Sequence, residues 1–268
     1  MVTPGEPRES PWPVLRDGVG TGHPNGGRSA PWAVLWDMDG TIVDTEPYWI
    51  AEEITLAEEH GSTWSHEQGL TLVGLALDVS ARILVDHHGL PMSPAEVIDR
   101  LMAGVVRRVI EAPPWRPGAR ELLADLVAGE VPMALVTMSY VPLAEAVVSQ
   151  LPPGTFAAVV TGDAVARGKP HPEPYLAGAD RVGVPAGRCV AIEDSPPGLA
   201  SAEAAGCRVL GVRGHVPIEA APHRSRVASL TEVDPGVLAA IATGTVVDTL
   251  PRAGAKPPTV SAAGSATT

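Results

Sequence analysis

Lysine is nearly missing from this chain: of 19 basic residues only Lys169 and Lys256 are lysine, and the rest are arginine. Positive charge as a whole is scarce. Against 31 acidic residues it leaves a formal net charge of −12, a balance that repels nucleic acid and anionic membrane surfaces and makes a small ligand the expected partner. Six tryptophans are present, but no basic patch accompanies them, which argues against a stacking platform for nucleic acid. Cysteine is limited to Cys189 and Cys207, both in apolar segments; this suits a reduced, cytoplasmic protein better than a disulfide between the two. Long apolar runs are missing as well. None reaches the length of a membrane-spanning helix, and the Gly/Pro-rich stretch from Met1 to Arg28 has none long enough for a signal peptide.

The 268 residues, 45% of them hydrophobic, are enough to bury a full core and a smaller insertion. Short, mainly apolar runs occur at Ala33–Trp36, Met133–Val136, Ala157–Val160, Cys189–Ile192 and Arg208–Val212, with a weaker one at Arg226–Leu230. They are strand-length and do not alternate, the pattern of strands buried on both faces. Amphipathic helical segments lie between them, at Gly118–Ala128, Val141–Gln150, Pro174–Val182 and Pro197–Ala205. Strand followed by helix, repeated, predicts an α/β fold, a doubly wound, Rossmann-like parallel sheet, with functional residues at the carboxyl ends of the strands.

The first two strands stand about a hundred residues apart, far more than a crossover helix needs. The intervening sequence is helical in pattern, with Ile50, Ile54 and Ala57 on one stripe and Val97, Leu101, Val105 and Val109 on another. The expected organisation is a catalytic core over 31–46 and 113–245, a small helical cap over 47–112, and flexible tails over 1–30 and 246–268.

Four strings sit where such a sheet puts its chemistry. The first is Asp37-Met38-Asp39-Gly40-Thr41, directly after the first strand. Two carboxylates at i and i+2, on a chain that turns at glycine, can aim into one pocket around a hard cation; a solvated Asp-Gly turn is the plainer alternative. The second is Thr137-Met138-Ser139, where a hydroxyl and main-chain N–H groups can cradle a phosphoryl oxygen or merely cap a turn. The third is Lys169, in Gly168-Lys169-Pro170, either a compact cation for a phosphoryl oxygen and clustered carboxylates or a surface lysine in a proline-rich loop. The fourth is Glu193-Asp194-Ser195, an acidic pair suited to Mg2+ that also stands where a helix cap belongs.

Taken in order along the chain, these four strings resemble the haloacid dehalogenase superfamily, in the branch whose helical cap lies between the first and second motifs. The resemblance runs from about Trp32 to Leu230 and includes Asp44-Thr45-Glu46-Pro47 and Thr161-Gly162-Asp163. It implies a phosphatase of a small phosphorylated metabolite. Asp37 would be the nucleophile that carries the phosphoryl group, and Asp39 the general acid and then base. Gly40, Thr137, Met138 and Lys169 would bind the phosphoryl oxygens. Mg2+ would sit on Asp37, the Asp39 main-chain carbonyl, Asp194 and Glu193.

Dehalogenases of the superfamily do not need the second aspartate, and phosphonate-cleaving members need a cap lysine that Pro47–Glu111 lacks. A sugar phosphomutase is the runner-up enzyme. It needs a cationic cap group, yet Gly74 is followed by Leu75, Ala76 and Leu77, with no arginine before Arg82. A receiver-type signalling domain has its acidic pair and lysine in another order, and a catalytically silent binding protein on the same fold is the non-enzyme alternative. Tyr48, Trp49, Leu77 and Arg82 are candidate cap contacts to substrate. His87-His88 is no metal pair, because adjacent helical residues point apart; one exposed and one partly buried histidine is expected. The pattern does not fix an oligomeric state, and a monomer is the default.

Overall fold

The computed structural model describes residues 32–72 and 77–251. The expected amino-terminal tail, the Gly74–Ala76 stretch and Lys256 lie outside those residues, as does most of the expected carboxy-terminal tail.

Six strands form one parallel sheet: β1 (Ala33–Trp36), β2 (Met133–Val136), β3 (Ala158–Val160), β4 (Cys189–Glu193), β5 (Arg208–Val212) and β6 (Arg224–Val227). The order is β3-β2-β1-β4-β5-β6, so the chain winds outward from β1 in one direction and then in the other. The crevice that such a reversal opens lies at the carboxyl ends of β1 and its neighbours. Register brings those ends level: Trp36 stands beside Leu135 on one side and Ile192 on the other.

Between β1 and β2 come α1 (Glu46–Glu59), α2 (His66–Leu70), α3 (Leu77–His88), α4 (Pro94–Glu111) and α5 (Ala119–Ala128). Then follow α6 (Val141–Val148), α7 (Glu173–Val182), α8 (Pro196–Ala204) and, after β6, α9 (Pro235–Ala242). Alternation along β1 splits the core in two. Val34 and Trp36 pack with Leu122, Leu135 and Leu238 on one face; Ala33 and Leu35 pack with Val136, Tyr175 and Leu199 on the other. Cys189 and Cys207 are buried and free.

Helices α1 to α4 keep a third core of their own, with Leu56, Trp64, Leu84, Val97 and Leu101. Two chain segments run side by side where this helical body joins the sheet: Arg116 N–H donates to the Ile42 carbonyl at 2.8 Å, and Asp44 N–H to that of Pro114 at 2.9 Å. His87 is exposed and His88 partly buried, its Nδ1 2.6 Å from the Ser62 hydroxyl.

Most element ends fall within one or two residues of the expectation, and two boundaries differ in ways that matter. The sixth strand begins at Arg224 and ends at Val227, because the Ser229 hydroxyl caps a short 3-10 turn that starts at Leu230. The chain after 245 is also not free: Arg226 N–H donates to the Val247 carbonyl, and the buried Arg226 guanidinium pairs with Asp248 at 3.0 and 3.1 Å. An arginine in a core strand needs a counter-charge, and the supposed tail supplies it.

Candidate active site

Strand β1 ends one residue before Asp37, whose N–H continues the ladder to the Ile192 carbonyl at 3.0 Å. The chain then doubles back, the N–H groups of Ile42 and Val43 both reaching the Met38 carbonyl, at 2.9 and 3.1 Å. Gly40 makes this turn at φ +88°, and a Cβ there would stand 2.1 Å from an Asp194 carboxylate oxygen. Both the left-handed backbone and the close approach therefore require glycine. Asp37 and Asp39 consequently face one cavity of about 590 Å³, which Gly40, Thr137, Met138, Lys169 and Asp194 also line. That volume is ordinary for a small-molecule site.

Asp39 is held by hydroxyls. Ser139 donates to its Oδ2 at 2.6 Å, Thr45 to its Oδ1, and Thr137 reaches Oδ2 at 3.5 Å. Burial raises its pKa, while the bonds from Ser139 and Thr45 oppose the rise. The Thr137 hydroxyl itself accepts from the Ser139 N–H at 3.0 Å, and the Met138 sulfur accepts from the Lys169 N–H at 3.3 Å. The β2 loop and the lysine loop are thereby tied together.

The Lys169 ammonium has three donors and uses all of them on the protein: Asp37 Oδ1 at 2.6 Å, Glu193 Oε1 at 2.6 Å and the Val136 carbonyl at 3.0 Å. Burial alone would lower its pKa, but the Asp37 and Glu193 carboxylates outweigh that and hold it above its ordinary value. Glu193 is fully buried. Its Oε1 also accepts from the Tyr175 hydroxyl at 2.9 Å, and its Oε2 takes the N–H groups of Asp194 and Ser195 and the Ser195 hydroxyl. Gly198 leaves room for that carboxylate, since a Cβ there would be 1.8 Å from Oε1.

One ammonium does not balance this group. Asp37, Glu193 and Asp194 each bring a carboxylate oxygen within 4.8 Å of the other two. Burial, and then Glu193, push the Asp37 carboxyl up to about 7 despite Lys169. Burial with Asp37 and Glu193 pushes Asp194 up to about 8. Asp37 Oδ2 is buried with no hydrogen-bond partner among the described residues. Crowded hard oxygens, a shortage of counter-charge and an orphaned acceptor are what a site for a hard divalent cation requires. Asp37 and Asp194 have oxygens to offer it, whereas both Glu193 oxygens are already engaged.

All eight residues singled out in the sequence for phosphoryl and metal binding thus gather at one rim of the sheet. Of the four candidate cap contacts, Trp49 and Leu77 line the cavity. Tyr48 instead donates to the Ala112 carbonyl at 2.6 Å, and Arg82 pairs with Asp78 at 3.2 Å on the outside of α3. Sequence reasoning passed over three groups. Thr45 and Ser139 stood inside strings already noted. Glu53 had a signal too: it falls at helical spacing on the face of Glu46, Trp49 and Ile50, a second carboxylate beside large apolar side chains.

A doubly wound sheet with clustered carboxylates at the strand ends is a frame that phosphoryl chemistry can use, and comparison with known proteins gives the family. The model for haloacid dehalogenase-like hydrolases matches residues 33–206, and the chain belongs to that family. It is 36% identical over 186 residues to the probable pseudouridine-5'-phosphatase of Drosophila melanogaster, covering 66% of this chain and 80% of the fly protein. To hexitol phosphatase A of Escherichia coli it is 33% identical over 186 residues, with 66% and 81% covered. The structure of CbbY from Rhodobacter sphaeroides in complex with phosphate superposes with a TM-score of 0.68 at 25% identity, covering 78% of this chain and 99% of that one. The chain is thus a phosphoric monoester hydrolase of the haloacid dehalogenase-like kind. Among the described residues no helix is long and apolar enough to cross a membrane.

Proposed function

We propose that the protein hydrolyses small organic phosphate monoesters in two displacements, with Asp37 as nucleophile and Mg2+ as cofactor. The observation that carries this reading is the convergence of Asp37, Asp39, Lys169 and Asp194 on one cavity at the carboxyl rim of the sheet. An Asp37 carboxylate oxygen attacks phosphorus, and the bond from phosphorus to the ester oxygen breaks. Asp39 donates a proton to the departing oxygen, burial raising its pKa in the direction that role needs. Water then attacks the aspartyl-phosphate; Asp39 takes back a proton, the bond from phosphorus to the Asp37 oxygen breaks, and the carboxylate is restored.

Lys169 holds Asp37 Oδ1 in place and lends it positive charge, with Glu193 anchoring the ammonium from behind. Thr137, Gly40 and Met138 stand where the transferring oxygens would lie. Bound between Asp37 and Asp194, Mg2+ would supply the charge that lets a carboxylate approach an anionic phosphate. The helical body α1 to α4 forms the opposite wall and acts as the cap that shuts water out.

A phosphomutase would need a second cation for a second phosphate. Among the described residues lining the cavity the one lysine or arginine is Lys169, already committed to three acceptors. The test is a phosphate-release screen over metabolite monophosphates with Mg2+ and with excess chelator. Release with Mg2+ and its loss on chelation are expected; release that chelation does not touch would contradict the metal assignment.

A further inference from the structure

The wall facing the catalytic carboxylates is acidic. Asp44, Glu46, Glu53 and Asp78 all line the cavity, and residues 73–76 carry no ionisable side chain. The one histidine there, His215, has its Nε2 between Asp44 and Glu46 at 3.2 and 2.8 Å. Asp78 pairs with Arg82 at 3.2 Å and Asp44 with Arg116 at 3.8 Å, but neither arginine lines the cavity, so an anionic leaving group, whether a carboxylate or a second phosphate, would meet more negative charge than positive on this wall.

Glu53 is the built feature of that wall. It is 5% exposed. The Trp64 indole N–H fixes its Oε2 at 3.0 Å, while Oε1 has no hydrogen-bond partner among the described residues. Gly69 lets α2 close over it, for a Cβ there would lie 3.1 Å from Oε2 and 2.9 Å from Ile50. The other oxygen is left for whatever occupies the cavity that Glu53 lines, and a partner there would offset part of the cost of burying the carboxyl group. Resting on the phosphatase reading above, we propose that Glu53 is a specificity residue whose free oxygen bonds a hydroxyl of the substrate, so that the preferred substrates are monophosphates of uncharged polyhydroxyl compounds.

A hydroxyl suits this position better than an ammonium. Burial pushes the Glu53 carboxyl up to about 7, against the bond from Trp64. Such a group both donates and accepts near neutrality, as a hydroxyl does, whereas an ammonium can only donate. Around it Trp49, Ile50 and Leu101 offer apolar surface to a carbon chain.

The experiment compares kcat/KM of the wild type for sorbitol phosphate, phosphoglycolate, fructose bisphosphate, ethanolamine phosphate and p-nitrophenyl phosphate, then repeats sorbitol phosphate and the aryl ester with Glu53→Gln. Sorbitol phosphate is expected to exceed each anionic or ammonium-bearing substrate by roughly tenfold or more. In the variant the ratio of sorbitol phosphate to aryl ester should fall by roughly tenfold to a hundredfold, mostly through KM, the range for a hydrogen bond to a charged group. Equal or better use of phosphoglycolate, the bisphosphate or ethanolamine phosphate overturns the proposal, as does an unchanged ratio in the variant. The wild-type panel decides the matter by itself if Glu53→Gln does not fold. Failure to hydrolyse even the aryl ester would remove the phosphatase reading as well; aryl hydrolysis without the polyol preference removes only this one.

Discussion

Glu52 and Glu53 are neighbours on α1, both buried, and the protein treats them in opposite ways. Glu52 faces α4. Arg108 lies 2.6 Å away, Arg100 2.9 Å and Arg107 3.5 Å, and a Cβ on Gly104 would stand 1.9 Å from its carboxylate. Burial would raise its pKa, but the bonds from Arg108 and Arg100 hold it below the ordinary value. Glu53 faces the cavity with a single indole N–H and is pushed the other way. The same contrast recurs at the sheet rim, where Glu193 is saturated with donors while Asp37 meets Lys169 through one oxygen and leaves the other unpartnered among the described residues. Satisfied carboxylates hold the fold together, and under-satisfied ones mark where a cation or a substrate completes the structure.

This division can be broken by substitution. The largest effect is expected from Asp37→Asn, which removes the nucleophile and should cut aryl phosphate turnover by roughly a thousandfold or more; the folded content, read by circular dichroism, stays unchanged. Next comes Asp194→Asn. Magnesium should raise the unfolding temperature of the wild type, because it binds only the folded site, and in this variant the rise should be lost together with most of the activity. A wild type indifferent to magnesium in thermal unfolding would contradict the reading of the rim as short of charge.

On the other face of α1, Glu52→Ala takes the shared carboxylate from three arginines that keep access to water, one of them also paired with Glu59, and should destabilise the protein by about 1–2 kcal/mol. Denaturant titration measures this. A loss under about 0.5 kcal/mol, the scale of an ordinary surface change, would mean that the arginine cluster is ornamental. The smallest effect is the most diagnostic. Since folding raises the Glu53 pKa from 4.5 to about 7, its contribution to stability is full below the lower value and is lost as pH rises through the higher one. Glu53→Gln cannot ionise. It should therefore unfold a few degrees above the wild type near about pH 8 and match it near about pH 4, in thermal scans at both.

Much of this was legible in the sequence because a parallel sheet is buried on both faces and its loops carry the chemistry at one end. Wholly apolar runs such as Ala33–Trp36 and Met133–Val136 therefore marked both the strands and the positions of Asp37 and Thr137. What escaped depended on partners distant in sequence. Arg226 made the sixth strand look weak, since the need for Asp248 is invisible without the pairing. Glu53 shares a helical face with Trp49 and Ile50, a weak signal by itself, because only the fold sets it against Trp64 and opposite Asp37. The engagement of Glu193 by Lys169, Tyr175 and the Ser195 hydroxyl likewise depends on three separate elements meeting.

The central claim is that Asp37 takes the phosphoryl group onto its own carboxylate, and the most direct measurement is a rapid-mixing experiment with labelled substrate and magnesium, quenched in acid. The account predicts protein-bound phosphate that hydroxylamine releases, that maps to Asp37 and that is absent from Asp37→Asn. Phosphate appearing in solution with no label on the protein during turnover, or label carried by another residue, would contradict it.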